Sequence, residues 1–168
     1  MNERKENMKL KMIFFSFPQD KNVQAALGAL IIRHGHLEYT LRMTIKSLCN
    51  LSIQDALTNT NKQTAGRLRQ RIKKEAKKRL GQCTALEKLL KWLDHAWKLS
   101  DERNLYVHSV WAHELDGSPQ IQSEDLIWRP LPTVPELEKL SNEIESITEK
   151  INEDRLNCYL SEAIQKSK

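Results

Sequence analysis

The sequence predicts an all-α protein, an up-and-down four-helix bundle of long helices with a loop or small hairpin before the last one. Three observations carry this expectation. The 168-residue chain holds only 5 Gly and 5 Pro, too few for the many tight turns of an all-β protein. Leu, Lys, Glu and Ala are abundant, and all four favour helices. Apolar residues recur at three- and four-residue steps along several long stretches. With 39% hydrophobic residues the chain has enough apolar material for a core, which excludes wholesale disorder.

Residues 1–20 read as a flexible N-terminal segment, charged at first and then briefly aromatic, with a short stretch pinned by Phe14, Phe15 or Phe17. A helical domain then spans 21–166. Its first helix runs from Lys21 to Leu48, with Val23, Leu27, Leu30, His34, Leu37, Leu41 and Leu48 on one stripe. Gly28 and Gly35 interrupt it. Each costs about 1 kcal/mol against Ala in a helix, so close packing against another helix is the expected reason for them. Ser52-Ile-Gln-Asp55 has the pattern of a helix start. Ala65, Leu68, Ile72 and Ala76 mark a second long helix that stops near Gly81.

Thr84-Ala-Leu-Glu87 reads as a capping box for a third long helix, from Ala85 to about Trp111. Leu86, Leu89, Leu90, Leu93, Trp97, Val107 and Trp111 form its stripe, and Trp97 and Trp111 are expected to anchor the core. Ser100 and Asn104 sit on the same stripe, which is unusual for a plain core face. Asp116-Gly-Ser-Pro119 signals a turn, flanked by Ile121, Ile127 and Trp128. Thr133-Val-Pro-Glu136 caps the last long helix, with Leu137, Leu140, Ile144, Ile147 and Ile151 inward. Leu156, Leu160 and Ile164 continue that face with a shift in register.

The charge is localised. Lys and Arg number 27 against 22 Asp and Glu, a net +5. Between Arg67 and Arg79 lie eight basic residues and one acid, a local +7, which leaves −2 for the rest. On the helical wheel Arg67, Arg71, Lys74 and Lys78 fall opposite the apolar stripe. A polyanion such as RNA would be met there, and its binding would weaken steeply with salt. A solvated polar face is the alternative.

Three widely spaced cysteines without a CxxC pair argue against both a zinc site and a disulfide framework. None has a His at helical spacing, so a cysteine nucleophile is disfavoured. His34, His36 and Glu38 invite a metal reading, but His34 and His36 point to different sides of a helix and two ligands are too few. His34 is expected to be a satisfied core or interface residue, with Glu38 holding His108 or Arg103. No apolar run approaches the ~20 residues of a membrane span. The expectation is a cytoplasmic protein without cofactor or metal.

The most informative segment is Asp101-Glu-Arg-Asn-Leu-Tyr-Val-His-Ser-Val-Trp111. Histidine titrates near neutral pH and serves as acid or base. Arginine stays charged and grips phosphate through paired N–H donors. Asn104 can donate to a phosphate oxygen or orient His108, one helical turn away. Five residues at 100° each put Arg103 and His108 about 140° apart on an ideal helix. One copy would therefore hold them awkwardly around a single phosphate, whereas a two-fold dimer would bring both pairs into one cleft. Asn104 and Ser100 then fit as interface residues.

Arg103, the Asn that follows it, four residues of spacing to His108 and the two preceding long helices make this chain similar to the HEPN superfamily, whose mark is an Arg, four to six residues and a His. The resemblance covers roughly 20–165. It implies a four-helix domain, a dimer with a composite interface site, and metal-independent endoribonuclease activity with Arg103, Asn104 and His108 as catalytic residues. Attack of the RNA's own 2′-hydroxyl would leave a cyclic phosphate. It further implies a toxin, stress or anti-phage setting, with an antitoxin or regulatory protein as a possible partner. One departure is visible: toxins of this kind that are paired with nucleotidyltransferase antitoxins carry Tyr two positions after the His, and here that position is Val110. A non-catalytic RNA-binding or regulatory HEPN module, and a helical protein-interaction subunit, are the competing readings.

Overall fold

A computed structural model of the chain describes residues 13–16, 18–114 and 117–166. The protein is mostly helical, but the all-α expectation is corrected by a small antiparallel sheet of four strands. The helices are α1 (Lys21–Cys49), α2 (Ile53–Asn59), α3 (Ala65–Leu80), α4 (Thr84–His108), α5 (Val134–Asn157) and α6 (Tyr159–Lys166). The strands are β1 (Ile13–Phe15), β2 (Val110–Glu114), β3 (Gln120–Gln122) and β4 (Trp128–Pro130). The expected floppy start, residues 1–12, together with Phe17 and Asp116, lies outside the described residues.

Local chemistry sets the helix ends. Asp20 caps α1 by accepting from the Asn22 N–H at 2.8 Å, and Ser52 and Thr64 cap α2 and α3 through their hydroxyls. Each such cap satisfies a backbone donor that has no partner in the helix and is worth about 1 kcal/mol. α3 ends at Gly81, whose φ of 61° is costly for other residues. The expected capping box at Thr133 and Glu136 is present in full. The one expected at Thr84 is not: Cys83 occupies the cap position without a side-chain bond, and Thr84 is already helical.

The four apolar stripes meet in one core. α1 lies between α3 and α5, and α4 packs on those same two helices from the other side. Leu30, Leu37, Ile45, Leu68, Ile72, Leu89, Leu93, Leu137, Ile144, Ile151 and Leu160 are fully buried there. Each contributes about 1.5–3 kcal/mol of transfer free energy. α6 supplies the register-shifted Leu160 and Ile164, while Leu156 remains exposed.

Close packing does not explain the α1 glycines. Nothing lies within 4 Å of a Cβ built on Gly28 or Gly35. The close approach is at Gly66 of α3, where a Cβ would stand 2.7 Å from the Trp97 ring. Trp97 is correspondingly not a core anchor: it is 37% exposed, lying over α3, with the Arg69 guanidinium 5.5 Å from its ring centroid.

α4 stops at His108, three residues before the expected end. Val110, Trp111 and Ala112 pair with Gln122, Ile121 and Gln120 of β3. Phe14 and Phe15 of β1 pair with His113 and Ala112 on the other edge of β2. β4 completes the sheet beside β3, in the order β1-β2-β3-β4. Two strands thus compete for the backbone of 110–114, and the ladder prevails over one further helical turn. The Ser109 hydroxyl donates to the Leu105 carbonyl, and the Trp111 indole N–H to the Tyr106 carbonyl at 2.9 Å. Both bonds satisfy carbonyls of the final helical turn. No helix among the described residues is long and apolar enough to cross a membrane.

Candidate functional site

The early end of α4 makes His108 its last residue, exposed where the backbone turns away into β2. Arg103 reaches it within a single chain. Its Nη1 lies 3.3 Å from His108 Nε2 and donates to Asn104 Oδ1 at 3.1 Å. Because a guanidinium has no acceptor, this contact uses the Nε2 lone pair of the neutral ring, with the proton on Nδ1, and is lost whenever the ring is protonated. The expected 140° separation is therefore no obstacle. The ideal-helix angle ignores the length of the arginine side chain and the freedom of a residue at a helix end. Arg103, Asn104 and His108 are brought together.

Arg103 is half-buried. Burial lowers its pKa from the ordinary value, and the carboxylate of Glu38 opposes that shift. Its Nε is buried without a partner among the described residues, while Nη1 carries both bonds. Nη2 is left as the donor available to an incoming oxygen. Glu38 itself lies 3.8 Å from Arg42, so it acts on Arg103 through its field, without the direct contact that the sequence suggested.

Beneath this pair lies a residue whose role the sequence left open. His34 of α1 is 5% exposed, and its Nε2 is 3.1 Å from Ser100 Oγ. The Ser100 hydroxyl donates to the Ala96 carbonyl at 2.9 Å, so His34 Nε2–H donates to Ser100. Burial first, and then the charges of Arg103 and His108, push His34 down to about 4. It is neutral at physiological pH. Ser100 is 2% exposed and is spoken for inside the chain. It is not the interface residue that its place on the stripe suggested.

Beside His108 an open cleft of about 480 Å³ separates the end of α4 from the β3–β4 turn. Asp101, Glu102, Glu124 and Asp125 line it against Arg129 alone among the basic residues. Arg129 is itself paired with Asp125, which holds that carboxyl far below its usual range. Asn104 and His108 are part of this lining, and Arg103 is not.

The basic face lies on α3. Arg67, Lys74 and Lys78 are exposed, and Arg71 donates to the Asn59 carbonyl at 2.9 Å. On the inner flank of the same helix Arg69 and Lys73 both meet Asp94 of α4 at 2.5 Å. The three cysteines are free thiols, and burial raises the Cys49 pKa, away from a reactive thiolate. His95 is exposed, and His113 lies in β2 and stacks on Phe14 at 5.7 Å. Among the described residues no three His, Cys, Asp or Glu side chains converge as a metal-binding group. No protein-family model, curated protein or solved structure matches the chain.

Proposed function

We propose that the chain is a HEPN-type, metal-independent endoribonuclease acting at Arg103, Asn104 and His108. The contact of the Arg103 guanidinium with a solvent-exposed imidazole at the end of α4 carries this reading. In its terms α1, α3, α4 and α5 are the up-and-down four-helix layout of that superfamily, and a homodimer places two copies of the pair around one scissile phosphate.

The chemistry follows from the groups. One neutral His108 takes the proton of the RNA 2′-hydroxyl. O2′ attacks phosphorus, and the P–O5′ bond breaks. The 5′-oxygen leaves with a proton supplied by the other copy of His108, which enters the step protonated, so the two rings exchange protonation states as a 2′,3′-cyclic phosphate and a 5′-hydroxyl form. Arg103 stabilises the charge that builds on the phosphoryl oxygens, and Asn104 keeps its guanidinium oriented. The phosphate approaches from the guanidinium side, because Asp101 and Glu102 repel it in the neighbouring cleft. Arg67, Arg71, Lys74 and Lys78 gather the flanking backbone. The reading places the protein in the cytoplasm, in a toxin, stress or anti-phage role.

The acidic cleft favours a second reading, in which the domain is a regulatory or interaction module whose partner, an antitoxin or another regulatory protein, brings cationic side chains to Asp101, Glu102 and Glu124. One experiment separates the two. Labelled RNA is incubated with the protein in EDTA, beside His108→Ala. Cleavage by the native chain and its loss in the variant support catalysis. Equal cleavage by both removes the catalytic reading, and salt-sensitive binding without cleavage favours the module.

A further inference from the structure

A second polar cavity opens at the far end of α1. Its volume is about 170 Å³, and its polar lining is Lys46, Ser47 and Asn50 of α1, Arg155 of α5, and Ser161 and Gln165 of α6. This lining holds two cations and no carboxylate. Lys46 lies twelve residues beyond His34, about 18 Å along the helix axis, so the cavity is separate from the Arg103–His108 pair.

Arg155 is the informative member. It is half-buried, and its hydrogen-bond partners are both neutral: Ser47 Oγ at 3.3 Å from Nη1 and Asn152 Oδ1 at 2.5 Å from Nη2. Its Nε is buried with no partner among the described residues. Burial lowers its pKa, and the only opposing influence is the Tyr39 phenol. Neither Arg155 nor Lys46 forms an ion pair among the described residues. A guanidinium withdrawn from water without a counter-charge is costly, and an anion beside it offsets that cost. The negative pole of α1 explains Lys46 in its last turn, but it leaves Arg155 unexplained. The Lys46 carbonyl already accepts from the N–H groups of Asn50 and Leu51.

We propose that this cavity is a binding site for a phosphate group, held by Arg155 and Lys46 and completed by the hydroxyl and amide donors of Ser47, Asn50, Ser161 and Gln165. The volume is below the ~300–1,000 Å³ typical of small-molecule pockets, so it suits one phosphoryl group and not a whole nucleotide. The occupant is free phosphate or the terminal phosphate of a nucleic acid.

The test uses the full chain and inorganic phosphate, with chloride balancing ionic strength. Phosphate should raise the melting temperature saturably and broaden its own ³¹P resonance. Lys46→Gln and Arg155→Gln should each weaken the apparent affinity by about tenfold or more, as expected for losing a charged hydrogen bond. No saturable response, or unchanged affinity in Lys46→Gln, overturns the proposal. Lys46 makes no side-chain bond among the described residues, so this variant decides the matter even if Arg155→Gln fails to fold. An oligodeoxynucleotide, which has no 2′-hydroxyl to react, tells the two sources apart. Displacement of phosphate by the 5′-phosphorylated strand alone assigns the site to a terminal phosphate, and displacement by neither strand assigns it to free phosphate. Displacement by the 5′-hydroxyl strand as well overturns recognition of a terminal or free group. All of these readouts are independent of RNA cleavage.

Discussion

His34 and His108 share one neighbour, Arg103, and have opposite environments. His34 is held on α1 under α4, donating to a serine that is itself committed to a backbone carbonyl. His108 stands in solvent at a helix end, with the guanidinium against its Nε2. The same imidazole is a fixed neutral dipole in one place and a solvent-facing group in contact with a guanidinium in the other. Burial and hydrogen-bond commitment decide which role a histidine takes, and the sequence shows neither.

The largest effect that would sharpen this contrast is catalytic. His108→Ala should reduce RNA cleavage by about 10²–10⁴-fold, the usual contribution of a general acid or base. The same substitution should change unfolding free energy by less than about 0.5 kcal/mol, because the side chain is exposed. Denaturant unfolding beside the cleavage assay checks both. A destabilised His108→Ala would make the residue structural and dissolve the contrast.

The next effect is in stability against pH. His34 has a folded pKa of about 4 against about 6.5 in the unfolded chain. Between those values the unfolded state binds the extra proton. Stability is therefore complete above about pH 6.5, falls as the pH drops through the window, and levels off below about pH 4. The loss should amount to about 3 kcal/mol or slightly more. In His34→Gln, which keeps a donor for Ser100, this part of the slope should vanish. Unfolding curves at pH 4, 5, 6 and 7, values chosen to bracket about 4 to 6.5, check it. An identical slope in the variant would assign the acid sensitivity to other groups.

Much of the helical framework was legible because it is written locally. The stripes of α1, α3 and α5, the stop at Gly81 and the capping box at Thr133 depend on residues within a few positions of one another. The sheet was not legible, because β1 reaches β2 across about a hundred residues, and Val107 and Trp111 fit a helical stripe as well as they fit a strand. For the same reason the helix end that exposes His108 was missed. That Arg103, Asn104 and His108 form one candidate set was legible, but their contact geometry was not. Helical angles describe Cα directions and say nothing of how far a guanidinium reaches. The contact between His34 and Ser100 joins two helices, and each residue looked merely out of place on its own stripe. That shared oddity, two polar residues on facing apolar stripes, is the signal that would have paired them. The acidic cleft depends on a turn placed by the sheet and left no local mark.

A smaller effect probes the buried side of the contrast directly. Ser100→Ala removes the acceptor of the His34 N–H and leaves that donor buried, which should cost about 1–3 kcal/mol. Ser100→Thr keeps the hydroxyl and should recover part of the loss. Cleavage by either variant should stay within a few-fold of native, since the serine touches neither Nη1 of Arg103 nor the imidazole of His108. Thermal unfolding with a single-turnover cleavage assay would check this. A large loss of cleavage without loss of stability would show that His34 belongs to the reacting group after all.

The smallest effect concerns Glu38, which influences Arg103 through space and pairs with Arg42 at 3.8 Å. A partly buried i,i+4 pair at that long distance contributes about 0–1 kcal/mol, so Glu38→Gln should barely move the melting temperature. Its charge, however, partly cancels the field of Arg103 where the phosphate is proposed to bind. Removing that charge should tighten RNA binding modestly at low salt, and the gain should fade as salt rises, because the screening length shrinks to about 3 Å at 1 M. Affinities measured at two ionic strengths check this. A gain that survives high salt would mean that Glu38 holds Arg103 by contact in solution, and Arg103 would then be oriented from α1 as well as by Asn104.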